Sequence, residues 1–399
     1  MRGFVTIGAG HLAITRIAAV LCVSALWFGS HDAHAQGAFY QAAPSEILGV
    51  PGTLIRQEPL GLPAPNGATA YRVLYRSTGL NNEPIAVSGA VIVPSGPPPA
   101  NGRPIVAWAH PTTGVVPRCA PSLALFLIQQ IQGVREMMQH GFIVAATDYP
   151  GLGTPQTHPY LVGVSEARAV LDSVRAARAL GGAQNRFAVW GHSQGGQAAL
   201  FTGQIAKSYA PELDLVGVAA AAPATDLLTL MGDDINSTGG RNLTAMTLWS
   251  WSRVFGAPID SVIDPAALPA IDTLAGECIE SIYDLMLRRS TGQSLEQRFL
   301  SVSNFYTTEP WRSLMSRNSP GTIPLQIPLF LAQGGADELV RPAVTEDYMK
   351  RQCHAGGAVQ MRTLPADNHG FIARDAAASA VEWMTDRFAG FPAPSDCAG

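Results

Sequence analysis

Gly191-His192-Ser193-Gln194-Gly195 matches the pattern Gly-x-Ser-x-Gly. The pattern suits a serine nucleophile on a tight strand-to-helix turn. Such a turn strains the serine backbone, and the residues two positions either side must be small for the chain to close. The context agrees, because Phe187–Trp190 reads as a strand and Gly196, Ala198 and Ala199 would let the following helix lie close to a sheet. A serine hydroxyl needs a base to become reactive. Histidines at His110, His140, His158, His192, His354 and His369 are available. His192 adjoins the serine and is expected to point away from it. His140 ends a helix, and His158 and His354 read as surface or loop residues. His369, in Asp367-Asn368-His369-Gly370, falls between the last strand and the last helix, and is the best base.

An acid should hold the imidazole from behind. Leu329-Phe-Leu-Ala-Gln-Gly-Gly-Ala-Asp337 ends a strand in two glycines and exposes Asp337; Glu338, Asp347 and Asp367 are the alternatives. The order Ser193, Asp337, His369 is the one expected for a nucleophile elbow on a doubly wound sheet. Backbone N–H donors must face the developing oxyanion. Gln194, just after the nucleophile, supplies one. The loop His110-Pro111-Thr112-Thr113-Gly114 should supply another, from Thr113 or, as an alternative, Thr112. Asp148-Tyr149-Pro150-Gly151-Leu152-Gly153 follows a further strand on the same edge, where turn formation is sufficient explanation for it.

The elements that must position these residues alternate. Tyr71–Ser77 and Ile85–Val93 read as a hairpin turning through Gly79, Asn81 and Asn82, followed by a Pro/Gly-rich loop from Pro94 to Pro104. Strands are expected at Ile105–Ala109, Phe142–Thr147, Phe187–Trp190, Leu215–Ala221, Leu329–Gln333 and Val359–Leu364. Helices are expected at Ser122–His140, from a Ser165 cap to Gly181, and at Gln194–Ser208, Pro342–Gln352 and Ile372–Phe388. This alternation implies an α/β fold, a mostly parallel sheet with helices on both faces. Residues 224–323 break the rhythm. They are too many for a bare loop and hold Met246, Trp249, Trp251, Phe255, Tyr283, Met286 and Trp311. They are expected to form an inserted, mainly helical cap on a core made of 36–223 and 324–399, with most of those side chains packing the cap's own interior.

Charged residues make up 14% and hydrophobic residues 47% of the 399, so a large core is required. The net charge of -4 and the absence of a basic block exclude a nucleic-acid partner. Arg2 and Arg16, the short apolar run Ile17–Phe28 and Ala33-His34-Ala35 read as an export signal occupying 1–35, so the mature chain is expected to begin at Gln36 and to act in the periplasm or outside the cell. Val20 and Leu21 before Cys22 do not form a lipoprotein box, and no later run reads as a membrane span. In an oxidising compartment, Cys119, Cys278, Cys353 and Cys397 are expected to form disulfides, with three pairings open. They lack the close spacing of a zinc site.

Taken together, the His110–Gly114 loop leading to Cys119-Ala120-Pro121-Ser122, the Asp148-Tyr149-x-Gly151-x-Gly153 run, the Ser193 elbow, Ala222-Pro223, Asp337 and His369 resemble the secretory lipases typified by yeast lipase A, within the α/β-hydrolases. The resemblance covers nearly all of the mature chain. It implies a capped lipase or esterase with no cofactor; the apolar cap favours a hydrophobic ester as substrate, with a lipid–water interface as one setting for it. It also implies pairing Cys119 with Cys278 and Cys353 with Cys397. Thr113, His192 and Gln194 depart from the family pattern, which has aspartate, tyrosine and glycine there. Transfer of the acyl group to an alcohol on the same triad and a non-catalytic binding module are the competing expectations.

Overall fold

In a computed structural model, residues 37–279, 292–321 and 327–397 are described, without the Asp234 side chain. The chain divides into Met1–Gln41 and Ala42–Gly399, and the whole sheet belongs to the second unit. The expected export signal at 1–35, Tyr283, Met286 and the expected cap boundary at Pro324 lie outside the described residues.

Ile105-Val106-Ala107-Trp108-Ala109 is apolar at every position because its strand is covered on both sides. Val106 and Trp108 join one core cluster, and Ile105, Ala107 and Ala109 the other. The same two-residue alternation recurs in Phe187–Trp190, Val218–Ala221 and Leu329–Ala332. The nine strands are β1 (Leu54–Pro59), β2 (Thr69–Thr78), β3 (Pro84–Val93), β4 (Arg103–Ala109), β5 (Ile143–Thr147), β6 (Ala183–His192), β7 (Asp214–Ala221), β8 (Leu329–Gly334) and β9 (Val359–Leu364). Their spatial order is β1-β2-β3-β5-β4-β6-β7-β8-β9. The pairs β1–β2, β2–β3 and β3–β5 are antiparallel, and β5–β4 through β8–β9 are parallel. This is the α/β-hydrolase architecture expected. The chain leaves β4 toward β5 on one side and returns to β6 on the other, so the carboxyl ends of β4 and β6 flank a topological switch point, the usual place for a ligand crevice in such sheets.

Helices α1 (Val134–Gln139), α2 (Gly163–Ala177), α3 (Gln194–Tyr209), α4 (Leu227–Asp234), α5 (Thr238–Val254), α6 (Leu268–Gly276), α7 (Trp311–Arg317), α8 (Pro342–His354) and α9 (Ile372–Ala389) complete the main frame. Apolar side chains of α2 and α3 belong to one core cluster and those of α1 and α9 to the other, while α8 reaches both, through Tyr348 and Val344. Gly163 lets α2 meet α3 closely, since a Cβ there would lie 2.1 Å from the Phe201 ring. Between β7 and β8, α4 to α7 pack on one another, started by Asp226 and Ser237, whose side chains accept from Thr229 N–H and Gly240 N–H. No helix of the described residues is long and apolar enough to cross a membrane.

Three local expectations need correction. The single helix over 122–140 is broken, because Gly133 adopts φ 80° and only Leu127–Gln130 and Val134–Gln139 are α-helical. Ser165 does not cap α2; the helix begins at Gly163 after Val162, which leaves Ser165 buried inside it. The antiparallel edge has a further strand, β1, whose sequence LIRQEP is too polar to be read as one.

Candidate active site

β6 ends at His192 and α3 begins at Gln194, so Ser193 alone makes the turn, with φ 57° and ψ −118°. An L-residue holds this conformation only when its surroundings enforce it. Here the surroundings are backbone. A Cβ on Gly195 would stand 1.9 Å from the Ala109 carbonyl oxygen, and one on Gly191 would stand 2.1 Å from that of Gly195. Ser193 N–H donates to the Ala221 carbonyl at 2.9 Å, which fixes the elbow to β7.

The turn after β8 and the loop after β9 meet backbone to backbone. Gly335 N–H donates to Leu364 O and Ala336 N–H to Asp367 O, both at 2.9 Å. A Cβ on Gly334 would lie 2.4 Å from that same Asp367 oxygen. The junction brings Asp337 Oδ2 to 2.8 Å from His369 Nδ1, and His369 Nε2 to 2.8 Å from Ser193 Oγ. Asp337 is buried and its Oδ1 accepts from Leu339 N–H and Val340 N–H at 2.9 Å each, while Gln333 Nε2 approaches Oδ2 at 3.4 Å. These bonds orient the carboxylate before it meets the imidazole. Of the alternative acids, Glu338 is exposed, Asp347 is exposed and paired with Lys350 at 3.0 Å, and Asp367 meets the turn through its main-chain carbonyl.

Two histidines are more closely packed than the sequence suggests. His192 does not turn away: its ring centroid lies 4.9 Å from that of His369, and Nε2–H donates to the His369 carbonyl at 2.9 Å. The loop carrying His369 folds over the end of β6, so the last strand residue meets it. Burial and the neighbouring imidazole push the His192 pKa down to about 3, which keeps it neutral. His158 lies in a loop, one of its two expected placements, but is fully buried there. Nδ1–H donates to Pro150 O at 2.8 Å, and its carbonyl accepts from Ser250 Oγ at 2.6 Å. His140 and His354 are exposed at helix ends. His110 is buried with Nδ1 2.6 Å from Pro111 O, and burial holds its pKa down to about 4.

Gln194 is the first residue of α3, where an N–H has no intrahelical acceptor and can serve an anion. Thr112 and Thr113 follow β4 beside it and line the same cavity as Ser193. The Thr113 carbonyl accepts from Ile279 N–H at 2.7 Å, and Thr112 Oγ1 is 2.9 Å from the Tyr160 hydroxyl. Arg118 Nε donates to Gly276 O at 2.9 Å and Cys119 is disulfide-bonded to Cys278, so residues 276–279 hold the loop after β4 at three points. The other pair, Cys353–Cys397, closes the carboxyl-terminal tail onto α8. Asp148 is structural: it accepts from Ser122 N–H at 2.8 Å, from Ser122 Oγ and from Ser88 Oγ at 2.6 Å, and burial raises its pKa to about 6.

A cavity of about 460 Å³ opens on Ser193 and His369, lined mainly by apolar groups such as Trp108, Leu127 and Ile131. A narrow one of about 30 Å³ also borders Ser193 and is lined by Leu161, Leu227, Leu230 and Met231. Met246, Trp251 and Trp311 are fully buried in the core, whereas Trp249 is half-buried and Phe255 exposed. Among the described residues no cluster of His, Cys, Asp or Glu is placed to hold a metal ion.

One group escaped the sequence. Glu166 Oε1 accepts from Gln194 Nε2 at 2.7 Å and from Leu161 N–H at 3.0 Å, and the same Gln194 nitrogen is 3.1 Å from His158 Nε2. Only the third dimension joins these side chains, and nothing in the spacing of residues 158, 166 and 194 signals it.

Residues 123–396 match the model of the secretory lipase family. Lipase A of Arthroderma benhamiae is 23% identical over 90% of this chain and 80% of its own. A Mycobacterium tuberculosis protein described as a probable inactive lipase is 25% identical over 86% of this chain and 80% of its own. The crystal structure of Candida antarctica lipase A superposes with a TM-score of 0.72 at 19% identity, covering 90% of this chain and 87% of that one.

Proposed function

The chain belongs to the secretory lipase family and is an ester hydrolase, and from that premise we propose that it cleaves hydrophobic carboxylic esters through an acyl-enzyme on Ser193. His369 Nε2 takes the Ser193 proton as Oγ attacks the acyl carbon. Asp337 keeps the proton on Nδ1 and stabilises the imidazolium. The N–H groups of Gln194 and Thr113 receive the oxyanion. His369 then protonates the leaving alcohol, and water, deprotonated by the same imidazole, releases the acid.

The observation that carries this reading is the unbroken hydrogen-bond chain Asp337–His369–Ser193, 2.8 Å at each link. The apolar cavity of about 460 Å³ at Ser193 supports a hydrophobic acyl or alcohol group, since such sites bury most of an apolar ligand. Residues 36–223 and 324–399 are the catalytic core and 224–323 a cap over it, and the mature protein begins after cleavage near Ala35.

The test is hydrolysis of esters of graded chain length, with Ser193→Ala beside the wild type and a fluorophosphonate probe for the nucleophile. Hydrolysis with labelling of Ser193, both lost in Ser193→Ala, is expected. Undiminished turnover by Ser193→Ala overturns the assignment.

A further inference from the structure

Glu166 lies on the first turn of α2 with no exposed surface, and only one of its oxygens is hydrogen-bonded. Oε2 has no partner, nor does Gln194 Oε1. The donors are already committed. His158 Nδ1–H serves Pro150 O, which leaves its Nε2 as an acceptor. The two Gln194 N–H groups go to that nitrogen and to Glu166 Oε1. Among the protein groups of this buried cluster two acceptors are left over and every donor is spent, a balance that a proton on Glu166 improves.

We propose that Glu166 works as a neutral carboxylic acid that positions Gln194, the oxyanion donor, and that its ionisation shuts the site at alkaline pH. This rests on the reading of Gln194 N–H as an oxyanion donor. Glu166 acts through two contacts. It fixes the Gln194 side chain, and it receives the N–H of Leu161, a non-glycine residue at φ 55° that lines the narrow cavity beside Ser193. Ionised, it would set a negative charge one glutamine side chain away from the oxygen where negative charge develops, at a fully buried position where charges are weakly screened.

The surroundings offer the charge no counter-ion. His158 comes from the loop after β5 and is kept neutral near pKa 3 by burial, with His110 beyond it after β4. Tyr149 at the end of β5 and Tyr75 on β2 are buried phenols whose pKa values are pushed up. The helix α3 contributes the amide of Gln194, and the next acid on α2 is Asp172, paired with Arg175. Burial raises the Glu166 pKa to about 8.

The experiment is kcat/KM for a soluble ester from about pH 6 to about pH 10. Wild type should hold a plateau and then fall about tenfold per pH unit above about pH 8. Glu166→Gln, neutral at every pH and of the same shape, should stay within about threefold of wild type on the plateau and lose that fall. Glu166→Ala should lower kcat about tenfold at neutral pH with little change in KM. An alkaline limb unchanged in Glu166→Gln, or a wild-type profile flat through pH 9, overturns the proposal. If Glu166→Gln does not fold, infrared difference spectra of the wild type decide. A carboxylic-acid carbonyl band lost in step with activity supports it, and activity lost without that band overturns it. Fluorophosphonate labelling at neutral pH separates the two readings: failure to label counts against Ser193 itself, whereas normal labelling with an unmoved limb counts against Glu166 alone.

Discussion

Adding one methyl group at Gly195 should disable the site while leaving the fold standing. The new Cβ would be 1.9 Å from the Ala109 carbonyl oxygen, 2.4 Å from its carbon and 2.6 Å from the His110 oxygen. Ordinary contact needs about 3.3 Å, so the elbow must retreat from β4 by more than about 1 Å, and no flexible side chain can absorb the difference. Ser193 sits two residues away, between His369 Nε2 and the N–H of Gln194. A displacement of about 1 Å in such an arrangement costs about 10²-fold in rate. Overpacking itself costs about 1–3 kcal/mol, equivalent to a fall in Tm of roughly 1–4 °C for a chain of this size. The assay is kcat/KM on a soluble ester, with active sites titrated by fluorophosphonate and Tm measured on the same sample. Wild-type activity and Tm in Gly195→Ala would refute the argument that backbone crowding, not chance, selects glycine here.

Two further outcomes are expected on physical grounds. Asp148 titrates near 6 in the folded protein against 3.8 for a free aspartate. The native state therefore binds the extra proton between those values, and this group's contribution to stability is present at low pH and is lost, by about 3 kcal/mol, as pH rises through 6. Urea midpoints measured from about pH 4 to about pH 7 should show the wild type losing that much relative to Asp148→Asn. The disulfide Cys119–Cys278 spans 159 residues and Cys353–Cys397 spans 44. Loop-closure entropy gives about 5 and about 4 kcal/mol for the two. Cys119→Ser/Cys278→Ser should also lower kcat, because it frees the loop bearing Thr113, whereas Cys353→Ser/Cys397→Ser should affect stability alone. Equal kcat in the two double variants would contradict this.

The parts of the molecule visible in its sequence are those governed by local crowding and periodicity. Small residues at 191, 195 and 196 announce a turn pressed against other backbone. Unbroken apolar runs announce strands covered on both faces, and their alternation with helices places Ser193, Asp337 and His369 at one sheet edge. What escaped depends on partners distant in sequence or on isolated backbone states. Gly133 at φ 80° splits a helix whose apolar period runs straight through it. The polar strand β1 exists because β2 offers it an edge. His158 looks like a loop residue until Ser250 and Pro150 enclose it, and Glu166 looks like an ordinary first-turn acid until Gln194 arrives from 28 residues away.

The attachment of residues 276–279 to the loop after β4 couples two segments that are far apart in the sequence. A carbonyl bond, an arginine and a covalent link converge on seven residues of that loop, Thr113 to Cys119. Because all three ties fall within so short a stretch, a shift of residues 276–279 is passed directly to Thr113 and to the wall of the cavity that holds Ser193.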